Sequence, residues 1–196
     1  VGKVAITAAI LRAEANSLLR QVGSRVTSSE GAAFRDLEGC WLQKLLAHLS
    51  PGVRASDPAA IFSNLTIINF NYDRCLEHYL HAAVRRHFGI DHNRASQVMA
   101  SLDIMHPYGT VGRLPWQEGP EPATEFGHEL EYVDLQAISA QIKTFTEQAH
   151  DEVKRSRWRE AVRDCETLIF LGFAFHRQNV ELIKAAERES GAFKIT

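Results

Sequence analysis

The chain has 196 residues, 45% of them hydrophobic and 23% charged, with a formal net charge of -2. That is a globular composition with room for one substantial core, and it lacks the basic excess that would mark a phosphate backbone as partner, so nucleic acid is not indicated. Three cysteines, Cys40, Cys75 and Cys165, are odd in number and far apart, which suggests neither a disulfide framework nor a paired-cysteine zinc site.

From Val4 to Val22 the alanine- and leucine-rich run has helical period, and "VTSSEGAA" after it is loop-like. Phe34, Leu37, Trp41, Leu45 and Leu49 recur at helical spacing and predict one helix over 34–49, ended by Ser50-Pro51-Gly52. Leu65 to Asn69 is a β-branched run with little alternation, the pattern of a buried parallel strand. The helix after it carries Leu76, Tyr79, Leu80, Ala83, Val84 and Phe88 as one stripe, with Asp73 as candidate cap and Gly89 as candidate stop. Leu102 to Met105 is a second short strand, closed by Pro107. An irregular loop spans Gly112 to Phe126, and two helices are predicted between Asp134 and Glu166, meeting near His150 to Ser156. "TLIFLG" gives a third strand, Leu168 to Leu171. The helix behind it has Asn179 as cap and Gly191 as stop, and "FKIT" begins another strand.

Strand, helix, strand, helix, strand predicts an α/β fold, a Rossmann-like parallel sheet flanked by helices, in a single domain over 1–196. Ligands bind such sheets outside the carboxyl ends of the strands. Three strands here end in polar or glycine-containing loops, "NFNYD", "HPYG" and "GFAFHRQN".

The order of those three loops resembles the sirtuin-like superfamily, nearer its bacterial NAD-hydrolase branch, where "NYD…E" is a common form, than the deacetylases. The resemblance covers about Leu65 to Thr196. It implies NAD as substrate or ligand without a metal, with Asn71 beside the nicotinamide ribose, Asp73 at the carboxamide, and His106 at the ribose hydroxyls. Gly172 falls where the backbone passes the ribose-phosphate, and Tyr72, Gly109, Phe173 and Asn179 complete the cofactor-binding set. Cleaving the glycosidic bond of NAD builds an oxocarbenium-like centre. A neutral amide that places water and an imidazole near its working pH suit that chemistry.

The family's Gly-Ala-Gly phosphate loop is absent from these residues, so either it lies upstream of Val1 in a longer protein or this copy holds the cofactor differently. Ala174 replaces a frequent serine, and the four-cysteine zinc module is missing. The function expected is NAD hydrolysis to nicotinamide and ADP-ribose within a bacterial antiphage-defence protein, cytoplasmic and without a membrane span, as a homo-oligomer or with further domains of the same chain. The alternative is a module that senses NAD or an ADP-ribose derivative, or oligomerises, without turnover. A deacylase ranks third.

Each residue also has a plain structural reading: Asp73 as a helix cap, Asn71 as a turn residue, His106 as a surface-loop residue, and Gly172 as a packing glycine. His78 and His81 stand one turn apart without a third ligand, which favours a solvated face over a metal site. Cys40 sits in a helix pattern between Gly39 and Trp41, which speaks against a nucleophile.

Overall fold

The structure, a computed structural model, describes residues 2–23, 27–128, 130, 133–148 and 151–184. It divides into two compact units, Val1–Lys143 and Thr144–Thr196.

The first unit opens with α1 (Gly2–Asn16) and a 3₁₀ turn, Leu18–Gln21, whose cap Ser17 accepts from the Leu19 amide. Two helices follow, α2 (Thr27–Asp36) and α3 (Trp41–Leu49), then a second 3₁₀ turn over Pro58–Phe62. β1 (Thr66–Ile68) leads into α4 (Cys75–Phe88) and α5 (His92–Met99), and β2 (Asp103–Met105) returns beside β1. The two strands pair in parallel, with Thr66 opposite Asp103, Ile67 opposite Ile104 and Ile68 opposite Met105. A parallel pair needs a crossover rather than a tight hairpin, and α4 with α5 supplies it. After a long irregular segment the unit ends with α6 (Leu135–Ser139), where Asp134 caps the Ala137 amide at 2.9 Å.

α4 forms the centre of the core. Leu76, Tyr79, Leu80, Ala83 and Val84 are all buried, packed with Phe62, Val98, Met99 and Leu102. Gly89 closes the helix in the left-handed conformation, φ 64, a position glycine occupies without the steric penalty of a side chain. A smaller apolar cluster joins Leu11 of α1 to Val111, Ile138 and Ile142.

The second unit holds α7 (Phe145–Gln148), α8 (Glu152–Asp164) and α9 (Arg177–Ile183). Asp151 caps α8 by accepting from the Lys154 amide at 3.2 Å. Trp158 and Val162 of α8 and Leu182 and Ile183 of α9 are buried, and the two helices pack on each other. Between them Phe170, Phe173 and Phe175 bring their rings together, with centroids about 5 Å apart.

The chain is thus mixed helix and sheet, with a small parallel sheet flanked by helices. Several expectations are corrected. The helix expected over 34–49 is two helices, because Gly39 takes φ 80 and turns the chain between them. Cys40 then sits at the N-cap of α3 and not inside a helix.

Leu168 to Leu171 is not a strand: it has no ladder partner among the described residues, and its side chains are 40%, 69%, 37% and 62% exposed. An apolar run signals a demand for burial, but a strand forms only where another strand takes its N–H and C=O groups. The sheet accordingly has two strands among the described residues. Among the described residues three helices, not two, lie between 134 and 166, and α8 starts at Glu152. α9 starts at Arg177 with His176 at the cap, which places Asn179 inside the helix and not at its end. Gly191 and the "FKIT" strand lie outside the described residues. Among the described residues no helix is long and apolar enough to cross a membrane.

Candidate functional site

Both parallel strands run into the joint that carries the candidate residues. The ladder extends one step past β1, where the Asn69 amide donates to the Met105 carbonyl at 2.8 Å. The chain then turns. Asn69 Oδ1 accepts from the Asn71 amide at 3.1 Å, the local side-chain bond that suits asparagine to turns. The Tyr72 carbonyl accepts from the Val111 amide at 3.0 Å, and Asp73 Oδ1 accepts from the Cys75 amide, the first of α4, at 3.1 Å. Asp73 therefore satisfies one of the orphan donors at the start of the helix.

Arg74 fixes this joint to the rest of the unit. It is 1% exposed, as is Glu14, which it meets through two guanidinium nitrogens and its own backbone amide. The remaining guanidinium nitrogen donates to the Thr124 carbonyl at 2.7 Å. Bidentate geometry of this kind orients as well as binds.

On the β2 side, His106 turns back toward the joint. Its Nε2 lies 2.7 Å from Glu77 Oε1 and its Nδ1 3.4 Å from the Asn71 carbonyl. Burial works against a charged ring, but the bond and charge of Glu77, then the Asn71 carbonyl and Asp73, outweigh it and raise the His106 pKa above 6.5. Glu77 itself is buried, and its second oxygen, Oε2, has no hydrogen-bond partner among the described residues. Asn71 is exposed, and its hydrogen bonds to described residues run through its backbone.

Aromatic rings flank the rim. Tyr108 meets Phe70 edge-on at 5.8 Å and Tyr72 at 6.2 Å, and the Tyr72 hydroxyl donates to the Lys143 carbonyl at 3.2 Å. The thiol of Cys75 is pushed well above its ordinary range by burial, then by Asp73, which makes it a poor nucleophile.

Asn71, Tyr72, Asp73, His106 and Gly109 all fall within the first unit, and the structure brings Asn71, Asp73 and His106 around one rim. Gly109 has a packing reason of its own: at φ 74, a Cβ there would overlap the Gln141 carbonyl oxygen. Gly172, Phe173 and Asn179 belong to the second unit. Gly172 takes φ 62 and is exposed, with nothing within 4 Å of where a Cβ would stand, so its conformation and not a close approach asks for glycine. Phe173 packs in the phenylalanine cluster, and Asn179 lies in α9.

His78 and His81 do not lie on a solvated face. His78 Nε2 bonds the carbonyls of Leu19 and Val22 at 3.0 and 2.8 Å, and its ring stacks on Phe126. His81 stacks on Trp116 and bonds Ser96 Oγ at 3.1 Å. Among the described residues no three His, Cys, Asp or Glu side chains gather as a metal site.

Glu77, Arg74 and Glu14 carried no assigned role in the sequence. A signal for Glu77 was present, since it shares a helical face with Leu80, His81 and Val84, a place where an acid is buried and so needs a partner. Glu14 likewise follows Thr7 and Leu11 on the buried face of α1.

Comparison with family models, with curated proteins and with solved structures gives no significant match.

Proposed function

We propose that the rim at the carboxyl ends of β1 and β2 is a sirtuin-like NAD site, and that the chain hydrolyses NAD to nicotinamide and ADP-ribose. The observation that carries this reading is an exposed asparagine amide, Asn71, beside a carboxylate-backed histidine, His106. The motif order along the chain supports it independently. In the reaction the bond between ribose C1′ and the pyridinium nitrogen breaks and its electron pair leaves with nicotinamide. Water adds to C1′ and gives up a proton. Asn71 positions that water, and His106 accepts from a ribose hydroxyl. Asp73 uses Oδ1 on the Cys75 amide, and its Oδ2 takes the carboxamide N–H of the substrate. Gly172, Phe173 and Asn179 enter only through the resemblance, as does a setting in antiphage defence.

The test is incubation of the full-length protein with NAD while free nicotinamide is followed, for the parent and for Asn71→Ala. The side-chain amide makes no hydrogen bond to the described residues, so the variant should lose cleavage by orders of magnitude while stability changes by less than about 1 kcal/mol. Full turnover in Asn71→Ala sinks the hydrolase reading. NAD binding without nicotinamide release returns the site to a sensing module.

A further inference from the structure

We propose that Glu77 is the positioning residue of His106: Oε1 holds the hydrogen on Nε2, which leaves Nδ1 as the ring nitrogen that takes the substrate proton. This deepens the NAD reading above and rests on it.

An ionised carboxylate only accepts, so the 2.7 Å contact places the hydrogen on Nε2. Nδ1 of the neutral ring then carries a lone pair and faces the Asn71 carbonyl oxygen at 3.4 Å, two acceptors without a hydrogen between them. Once Nδ1 is protonated the same contact becomes donor to acceptor. The imidazolium is thus satisfied at both nitrogens and the neutral ring at one, which suits a base whose charged form must be stabilised as the proton moves. The proton balance closes: the ribose O–H breaks and its proton goes to Nδ1, and the oxygen left behind faces the cationic C1′ and takes the proton that the attacking water gives up as it bonds C1′. The proton passes to bulk water after nicotinamide leaves.

Glu77 is held in a packed surrounding. It sits in the first turn of α4 among Leu76, Tyr79 and Leu80, all buried, three residues after the Arg74 that is locked to Glu14. The groups facing His106 are Glu77 from α4 and, from the joint, Asp73 and the Asn71 carbonyl. Oε2, which has no hydrogen-bond partner among the described residues, points the same way, because a buried oxygen left without a hydrogen bond calls for a reason such as service to a site.

Two variants separate charge from bonding. Glu77→Gln keeps an acceptor and removes the charge, and Glu77→Met removes both. The readouts are nicotinamide release against pH and the ¹⁵N resonances of the imidazole rings, with His106→Gln to assign them. In the parent the neutral ring should carry its hydrogen on Nε2, and kcat/KM should rise through a pKa above 6.5. Glu77→Gln should move that limb to lower pH. Glu77→Met should lose the tautomer and slow turnover about 100-fold.

A parent ring protonated on Nδ1 overturns the proposal, and that spectrum decides even if neither variant folds. An active parent whose two variants match it in rate, limb and tautomer overturns the positioning role alone. A parent that releases no nicotinamide overturns the hydrolysis reading and Glu77's part in it.

Discussion

His106 Nε2 lies 2.7 Å from Glu77 Oε1, which ties the end of β2 to the first turn of α4. The pair raises the His106 pKa above the 6.5 of the unfolded chain. Because the folded protein holds that proton more tightly, the stabilisation is fully present below about pH 6.5 and is lost as pH rises through the raised value. His106→Ala removes this alkaline loss and leaves Glu77 buried without its counter-group, at a cost of about 3 kcal/mol. Urea unfolding of parent and variant at pH 6 and pH 9 measures both effects. Equal stability at pH 6 would show that the pair does not form.

Gly109 tests whether the "HPYG" loop is held by packing. At φ 74 it is in the left-handed region, its amide donates to the His106 carbonyl at 3.1 Å, and a Cβ would meet the Gln141 backbone. Neither contact is the far end of a flexible side chain, so the loop has to move. Gly109→Ala should lower stability by about 2 kcal/mol or more and should also disturb His106, three residues upstream. A variant with parent stability would mean that α6 and the chain after it shift freely.

The Glu14–Arg74 pair ties α1 to the β1–α4 joint, with both side chains 1% exposed. Removing either partner alone strands a buried charge, so Glu14→Gln and Arg74→Met should each cost about 3–5 kcal/mol. The double variant should cost much less than the sum of the two. A double-mutant cycle on urea unfolding reads the coupling; additivity would contradict the geometry.

What the sequence announces here is what its neighbours in the chain decide. The β-branched run of β1, the stripe on α4 and the Gly89 stop are local signals, and each forms where expected, with β1 and β2 parallel, but β1 is not buried: Thr66 is exposed and Ile67 and Ile68 are half-buried. The break between α2 and α3 rests on one residue, Gly39, which reads as a tolerated glycine until its φ is known. Leu168 to Leu171 fails for a different reason, since a strand depends on a distant partner that no local pattern names. The candidate rim shows the same divide. Asn71, Asp73 and Glu77 stand in one motif and His106 in another, whereas the pairing of Glu77 with His106 spans 29 residues and that of Glu14 with Arg74 spans 60, and no local pattern names either.

Acid should unfold this protein through two buried histidines. Burial lowers the pKa of His78 from 6.5 to about 4, against the pull of the Leu19 and Val22 carbonyls, and burial followed by His92 lowers His81 to about 4. Here the sign is opposite to that of His106. The unfolded chain takes up protons below about pH 6.5 that the folded chain refuses, so stability is intact above that pH and falls steadily as pH drops toward 4. At pH 5 the loss is about 2 kcal/mol for His78, and His81 adds a smaller share once solvent screening is discounted. His78→Gln keeps a donor for the two carbonyls and removes the titration, so it should flatten the curve between pH 7 and 5 by about the His78 share. Melting temperatures across that range, in parent and variant, are the measurement. A parent whose stability does not change between pH 7 and 5 would mean that both rings accept a proton without leaving their packing on Phe126 and Trp116.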